Sequence, residues 1–296
     1  MKRHLIPFLL FAVLFFASTI TPCAFGDGIV FTEDVQLKLA DAFLSQGEYY
    51  RAVTEYKKFL ILFPGSPKGD YALFSMGMAY FNGQEYNHAV EAFASVVQKY
   101  RNSGSAPGAG YYEGVSYVKL NMPDMAGRAF DRVVELYPSS GFAPMAIIGK
   151  SLLLFDERDT PDSRNALKQY LVNYPNNAKR ENVREAIRLL DQTGELPQKS
   201  PLLAGVMSAV IPGSGQIYAG HYGDGITSFF LNGLFIAGTV VAIKQENYAV
   251  AGVVGVIGLP FYAGNIYGAA NAAKKWNIGV RRNQRGEIAA ILDYHF

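Results

Sequence analysis

A helix-turn-helix pattern recurs every 37 residues in this chain, and no other feature restricts the possible folds as strongly. Between Tyr71 and Tyr100, small and aromatic residues recur at three-to-four-residue spacing on both sides of an Asn82-Gly83 turn. The same positions recur one 37-residue repeat earlier, one repeat later and, more weakly, two repeats later. The recurring set is Gly77, Tyr80, Ala89, Phe93 and Val97, which return as Gly114, Tyr117, Ala126, Phe130 and Val134.

The register predicts an all-α fold of about four helix pairs. One such pair cannot cover its own apolar face, so the pairs are expected to stack into a solenoid with one continuous core. A ninth helix, at residues 178–192, is expected to cap the stack. The predicted pairs are 33–46 and 48–63, 68–82 and 85–101, 106–121 and 123–137, and 141–156 and 161–174.

These residues resemble the tetratricopeptide repeat, through Met76-Gly77-x-x-Tyr80, Ala89-x-x-x-Phe93 and the closing Pro64. The family repeat usually has about 34 residues. Here the additional residues lie in the linkers between units, which is similar to the repeats of outer-membrane assembly lipoproteins and of the Tol-Pal-associated periplasmic protein. The resemblance implies a bacterial envelope protein.

The resemblance also implies a concave groove, lined by the first helix of each pair, that binds an extended or helical peptide. The alternative is that these apolar residues are core between repeats. The expected groove residues are Tyr71, Phe74, Met78, Phe81, Tyr111, Val115, Ile148, Leu152 and Phe155.

The N-terminus has the layout of a secretory signal peptide at residues 1–26. A basic start is followed by an apolar stretch from Leu5 to Ile20 and by small residues before Asp27. An uncleaved anchor is the alternative. Cys23, the single cysteine, ends a sequence similar to a bacterial lipobox, although Pro22 departs from that pattern, so its lipidation stays open.

The C-terminal third predicts a membrane module at residues 201–273. Two uncharged runs, 226–243 and 248–273, are long enough to cross a bilayer and would form a hairpin. Residues 202–218 could be a broken, re-entrant or interfacial helix, because Pro212 and its glycine neighbours interrupt them. A soluble glycine-rich core is the alternative.

A basic tail at residues 274–296 bears on the number of membrane crossings. The positive-inside rule assigns its lysines and arginines to the cytoplasm. If the repeats are exported, three crossings then fit better than two, and with two crossings the tail would stay with the repeats. The last six residues alternate like the final strand of an outer-membrane barrel, but chance is the better explanation without other strands.

The most distinctive local motif is PGSGQIYAGHYGDG, at residues 212–225. It lacks the Lys-Ser/Thr of a P-loop and resembles the P-G-x-G-Q-x-Y-x-G motif of small TM2-like bacterial membrane domains. Together with Asn232, Asn265 and Asn271, its polar residues could line a polar path or serve as packing contacts between helices. The expected motif residues are Pro212, Gly213, Gly215, Gln216, Tyr218, Gly220 and Asp224.

The predicted function is that of a membrane-anchored envelope scaffold that binds a protein or peptide partner through the groove. The alternative is a structural subunit of a transport or insertion complex in which the C-terminal helices act. No enzyme, cofactor or metal signature is present, and a net charge of +2 gives no support to nucleic-acid binding. The expected location is the inner membrane with periplasmic repeats; the oligomeric state stays open. The predicted domains are a signal peptide at 1–26, the repeat solenoid with its capping helix at 33–192, a linker at 193–200, the membrane module at 201–273 and the basic tail at 274–296.

Overall fold

The computed structural model describes residues 32–156, 160–294 and 296, and the regular structure of these residues is entirely helical. The predicted signal peptide and Cys23 lie outside these residues. The helices are α1 Glu33–Ser45, α2 Tyr49–Leu62, α3 Gly69–Asn82, α4 Tyr86–Lys99, α5 Ala106–Lys119, α6 Pro123–Leu136, α7 Phe142–Asp156, α8 Thr160–Asn173, α9 Arg180–Asp191, α10 Pro201–Val210, α11 Ser214–Tyr218, α12 Tyr222–Lys244 and α13 Tyr248–Ile291.

The all-α prediction is confirmed, and helices α1 to α9 begin and end within a few residues of the predicted bounds. Small residues at the repeat positions let the paired helices approach closely. A Cβ on Gly77 would lie 2.6 Å from the Phe93 ring, and one on Gly114 would lie 2.6 Å from the Phe130 ring. Both rings are fully buried, so these contacts define the spacing within each pair.

The turn inside each pair also repeats every 37 residues, and in the second unit it lies at Gly83 and Gln84, beside the predicted Asn82-Gly83 turn. Gly47, Gln84 and Asn121 adopt left-handed φ angles of 76°, 63° and 57°. In the second unit the left-handed residue is therefore Gln84 rather than Gly83, whose φ is −76°. Glycine and asparagine adopt this conformation readily, whereas glutamine is strained there.

The first helices of neighbouring units, α1, α3, α5 and α7, pack against one another and form the inner layer of the solenoid. Helix α9 closes the stack against α8, as predicted for a cap. Its Val183, Ala186 and Leu190 are buried, whereas Arg184 and Arg188 face outwards and pair with glutamates three residues earlier. The cap also contacts the end of α13.

Two C-terminal helices, α12 and α13, are long and apolar enough to cross a membrane. They pack as an antiparallel hairpin around a turn at Gln245–Asn247, with apolar side chains left on the outside. Phe230, Leu234 and Val256 are 69%, 70% and 68% exposed. Exposed apolar surface of this extent marks a site of contact with a membrane or with another protein.

Helix α10 has ten residues, about 15 Å, which is half of a hydrocarbon core of roughly 30 Å. The segment 202–218 is therefore a helix, a turn and a short second helix packed against α13, and it is too short to be a third crossing. Residues 274–291 continue α13 and end against the repeats. The division into domains stays a prediction.

Candidate functional site: the inner face of the repeats and the C-terminus

The C-terminus of the chain lies on the inner face of the repeats. We call residues 281–294 and 296 the docking segment. Tyr294 is 4% exposed, and its hydroxyl lies 2.9 Å from that of Tyr111 on α5. Phe296 stacks on Phe130 with ring centroids 6.5 Å apart. The segment therefore fills the groove that the repeat pattern predicts as a peptide-binding site.

A glycine on α7 makes room for the docked tyrosine. A Cβ on Gly149 would lie 2.3 Å from the Tyr294 hydroxyl and 3.1 Å from its Cζ atom. One register earlier the equivalent residue is Tyr112, and two registers earlier it is Ser75. Only the fourth unit thus lacks a side chain at this inner-face position, and the tyrosine from the docking segment takes that space.

The apolar side of the docking segment belongs to the core of the last two repeats. Ile288, Ala289, Leu292 and Tyr294 are buried in the same cluster as residues of α5, α7 and α9. Ile288 and Leu292 are 1% and 0% exposed. Burial of apolar surface contributes about 25 cal/mol per Å². These buried side chains therefore stabilise the docked arrangement, and the segment is part of the folded domain.

Polar contacts hold both ends of the segment. At its start, Arg285 Nε lies 2.9 and 3.0 Å from the two carboxylate oxygens of Asp156, and Gln284 donates to the Leu189 carbonyl at 2.7 Å. At its end, Lys119 Nζ donates to the Phe296 carbonyl at 2.8 Å.

A lysine and an asparagine of the cap region bind the turn between these two ends. The Lys179 ammonium donates to the Leu292 and Asp293 carbonyls at 2.9 and 3.0 Å. The Asn182 amide donates to the Ile291 carbonyl at 2.6 Å. These carbonyls terminate α13 and have no partner within the helix, so the cap supplies their hydrogen bonds.

The two paired tyrosines are held in their neutral form. Burial raises the pKa of Tyr111 to about 12, and the hydrogen bond between Tyr111 and Tyr294 partly offsets this effect. Burial, with the Tyr111 hydroxyl beside it, raises the pKa of Tyr294 well above its usual value. A phenolate at this place would be a buried charge, so the pair is stable only while both rings are protonated.

The structure divides the predicted groove residues into two groups. Tyr111, Val115, Ile148, Leu152 and Phe155 are 1–4% exposed and belong to the cluster that includes the docking segment. With the segment docked these five are therefore core residues, which is the alternative that the sequence left open, and their role in binding a partner stays a prediction.

The second group lies on α3, away from the docking segment. Tyr71 is 43% exposed, while Phe74, Met78 and Phe81 are half-buried. Phe74 packs on Phe93 with ring centroids 5.7 Å apart, so it also contributes to the core between helices. This part of the inner face stays accessible.

The contact of the docking segment with the repeats also bears on the predicted topology. The repeats and the basic end of α13 touch one another, so they lie on one side of any membrane that the hairpin crosses. Two candidate spans agree with this arrangement. The three-crossing interpretation puts the repeats and the basic tail in different compartments, so this contact favours two crossings, and the number of crossings stays a prediction.

The sequence did not predict that these residues dock on the repeats. They follow the predicted membrane segment, and the alternating pattern of the last six residues has no partner strand. Tyr294 and Tyr111 are 183 positions apart, beyond the reach of any local periodicity. One signal was present in the sequence. Gly149 interrupts the row of inner-face side chains at a point where the register gives Tyr112 in the previous unit.

The PGSGQIYAG motif forms a tight turn between α10 and α11 that packs against α13. Gly213 has a φ of +86°, and a Cβ there would lie 2.0 Å from the Gly225 carbonyl oxygen. A Cβ on Gly215 would lie 1.9 Å from the Ala204 carbonyl oxygen. Only glycine fits either position, because both contacts are with backbone.

Three polar side chains hydrogen-bond the backbone that this turn frees. Asn265 accepts from the Gly213 N–H at 2.9 Å and donates to the Ser208 carbonyl at 2.9 Å. Gln216 donates to the Asn265 carbonyl at 2.9 Å and accepts from the Ser208 hydroxyl at 2.8 Å. This network explains how a broken helix can exist in an apolar module, where no water pairs with free backbone groups.

The other motif residues and Asn232 lie around this network. Asp224 is exposed and lies beside His221, with Oδ2 3.4 Å from Nδ1. Asn232 is 3% exposed and lines a cavity of about 270 Å³ between α12 and α13. Tyr218 accepts from the Ser200 N–H at 3.2 Å, Gly220 has a φ of +86°, and Pro212 begins the turn. Asn232 donates to the Ser228 carbonyl at 2.8 Å, and the Ser228 hydroxyl accepts from Gln216 at 3.5 Å, so a polar path stays a prediction.

Comparison with known proteins supports the repeat assignment. Residues 28–148 match the family model described as YfiO, outer membrane lipoprotein. The repeat domain is an envelope-type tetratricopeptide repeat domain. The match covers about two fifths of the chain and ends inside α7, so it does not extend to the cap, the hairpin or the docking segment of this tetratricopeptide repeat protein. No curated protein matches the chain.

Several solved structures are similar to the chain at low identity. The apo form of RapI is 10% identical with a TM-score of 0.47, and the alignment covers 78% of this chain and 64% of RapI, which is under two thirds of that protein. PilF of Pseudomonas aeruginosa is 16% identical with a TM-score of 0.41, covering 80% and 79%. A tetratricopeptide repeat protein from Parabacteroides merdae is 13% identical with a TM-score of 0.45, covering 88% and 98%.

Proposed function

We propose that this protein is a non-enzymatic, membrane-anchored scaffold of the bacterial envelope that binds a protein or peptide partner on the inner face of its repeats. The observation that carries the proposal is the docking segment itself. An aromatic peptide from the same chain occupies the inner face of α5 and α7 through ring contacts and hydrogen bonds to its backbone. The surface thus has the chemistry of a peptide-binding groove.

The partner would bind the accessible half of the inner face or replace the docking segment. Tyr71, Phe74, Met78 and Phe81 offer an aromatic surface on α3 that no docking residue covers. Exposed aromatic and methionine side chains are typical anchors of protein interfaces. We place the repeats in the periplasm and the hairpin in the inner membrane, on the basis of the predicted signal peptide and the exposed apolar hairpin.

Photo-crosslinking in the full-length protein tests this proposal. A photoreactive phenylalanine analogue would replace Tyr71 on the inner face or, as a control, Ile61, which is 75% exposed at the end of α2. We expect a discrete crosslinked protein from position 71 and none from position 61. Removing residues 292–296 should then allow the same protein to crosslink from position 111. Crosslinks of equal yield from positions 61 and 71 would contradict a specific groove.

A second candidate function places the activity in the hairpin, as a structural subunit of a transport or insertion complex. One observation favours it. Asn232 is buried between α12 and α13, and its Oδ1 atom has no hydrogen-bond partner among the described residues. A polar atom in that position could accept a hydrogen bond from another membrane protein. Crosslinking from Phe230 on the outer surface of α12, with none from Tyr71, would support this candidate instead.

A further inference from the structure

A large cavity lies where the apolar half of α13 ends and its basic half begins. Its volume is about 870 Å³, and its walls are α13, the end of α7 and the linker that follows α9. Leu196 and Ile278 form apolar parts of the wall, and Lys274, Arg281, Arg282 and Arg285 supply cations. One part of the cavity wall is thus apolar, and another part is basic.

The charge of the cavity favours an anion. Among its described lining residues, four cations face one carboxylate, that of Asp156. Arg285 already pairs with Asp156, because its Nε lies 2.9 Å from Oδ1 and 3.0 Å from Oδ2. Lys274 and Arg282 are exposed and have no carboxylate within 4.0 Å in the part of the chain that the structure describes.

Neighbouring side chains indicate that the cavity lies at the level of a membrane surface. The Lys199 ammonium lies 4.4 Å from the centre of the Trp276 ring and 5.7 Å from that of Tyr218. Aromatic rings beside cations are typical of the interface between lipid and water. The Asn277 amide exchanges hydrogen bonds of 2.8 and 2.9 Å with the Lys199 backbone, which fixes the linker at this level.

The side of the membrane makes these cations unusual. They lie on the same side as the repeats, which the signal peptide would export, whereas lysine and arginine near membrane helices are normally cytoplasmic. Cations retained on the exported side therefore need a local reason. Binding an anion at the membrane surface supplies one.

We propose that this cavity binds the phosphate of an anionic phospholipid, with Lys274 and Arg282 as its principal charge contacts. Leu196 and Ile278 then face the glycerol and the upper acyl chains. A free phosphate ion would offer the same charge, but it would leave most of the cavity unfilled. The inference rests on the proposed membrane insertion of the hairpin, and its experiment separates the two.

The test uses the full-length protein in a neutral detergent. Thermal unfolding is followed while phosphatidylglycerol, phosphatidylcholine or inorganic phosphate is added. Phosphatidylglycerol should raise Tm by several degrees, because a ligand that binds only the folded state stabilises it. Phosphatidylcholine and inorganic phosphate at the same concentrations should leave Tm unchanged.

Charge variants assign the effect to this cavity. Lys274→Gln with Arg282→Gln should need at least about tenfold more phosphatidylglycerol for the half-maximal shift, which corresponds to losing about 1.4 kcal/mol of binding. The charge-conserving Lys274→Arg with Arg282→Lys should keep most of the response, which also shows that the site tolerates substitution. Lys244→Gln, at the opposite end of the hairpin, is the matched control and should behave like the unaltered protein.

Two results would overturn the proposal. The first is an equal phosphatidylglycerol response in the unaltered and the glutamine-substituted proteins. The second is a shift with inorganic phosphate as large as that with the lipid, which would make the ligand a free ion. Alkaline carbonate extraction of membranes from the same cells tests insertion separately. Extraction of the protein would refute the anchor, and retention with no lipid response would refute the cavity alone.

Discussion

Replacing Gly149 with alanine should release the C-terminus from the groove. The new Cβ would lie 2.3 Å from the Tyr294 hydroxyl and 3.2 Å from the Phe130 ring. Phe130 is fully buried and Tyr294 is 4% exposed, so neither ring has space to move aside. The smaller adjustment is for the docking segment to leave, since it is the terminal part of the chain.

The magnitude follows from the contacts that Tyr294 would lose. Burial of its ring contributes roughly 1.5–3 kcal/mol, and its hydrogen bond to Tyr111 about 0.5–1.5 kcal/mol. A loss of about 2–4 kcal/mol would raise the equilibrium constant for opening of the segment by about 30- to 1,000-fold. Helix α7 itself would gain up to about 1 kcal/mol from alanine, so the repeats should stay folded.

Amide hydrogen exchange measures this opening directly. The N–H groups of Leu292, Asp293 and Tyr294 donate to the carbonyls of Ile288, Ala290 and Ala289 in the last turn of α13. A terminal turn frays readily once it loses its packing against the repeats, so we expect these groups to lose protection on undocking. In Gly149→Ala, peptides that cover residues 286–296 should exchange faster by the stated factor, while peptides from α1 to α6 keep their protection.

A second glycine gives the matched control. Gly127 lies on α6, and a Cβ there meets no atom within 4 Å. Gly127→Ala should leave exchange of residues 286–296 unchanged. If Gly149→Ala also leaves it unchanged, or if both variants raise it equally, then Tyr294 does not occupy the space beside Gly149 and the docked arrangement is refuted.

Four further predictions concern the repeats, the turns, the motif and pH. Gly114→Ala, whose Cβ would lie 2.6 Å from the Phe130 ring, should lower the free energy of unfolding by about 1–3 kcal/mol in chemical denaturation. Gln84→Gly should raise thermal stability by about 1 kcal/mol, because it relieves a left-handed residue with a φ of 63°. Asn265→Leu should lower Tm in detergent, since the buried Gly213 N–H and Ser208 carbonyl would each lose a partner that contributes about 1–3 kcal/mol; an unchanged Tm would contradict the network. Because the pKa of Tyr111 is raised to about 12, the docked arrangement should keep its full stability below about pH 10 and lose it as pH rises towards 12. The anisotropy of a dye attached after Phe296 would fall when the segment undocks.

The repeats could be predicted because their information is local. Gly77 and Phe93 lie 16 positions apart and contact one another, and each unit repeats that short-range relationship. The turn of the second unit could be predicted from Asn82-Gly83, but the residue with the positive φ, Gln84, could not, because glutamine carries no turn signal. Backbone geometry inherited from the repeat overrides the residue preference there.

The groove could be predicted as a location, but its occupant could not. Periodicity identifies the inner face of α5 and α7, yet it carries no information about a segment 183 positions away. The positive-inside rule gave no indication that the basic tail meets the repeats, because charge counts take no account of the tertiary contact between Arg285 and Asp156. By contrast, the packing around Gln216 could be predicted, because the spacing of the glycines and the amide side chains in the sequence already indicated close contacts between helices.

The length of α13 has a mechanical consequence. One helix of 44 residues, about 66 Å, runs from the hairpin turn to the groove and contains Pro260 within its apolar half. The 31 positions from Pro260 to Ile291 make a lever arm of about 46 Å, so a tilt of roughly 10° at the proline would displace the far end by about 8 Å. A change in the tilt of the apolar half would thereby move Tyr294 relative to the repeats, and the occupancy of the groove would depend on the angle at Pro260.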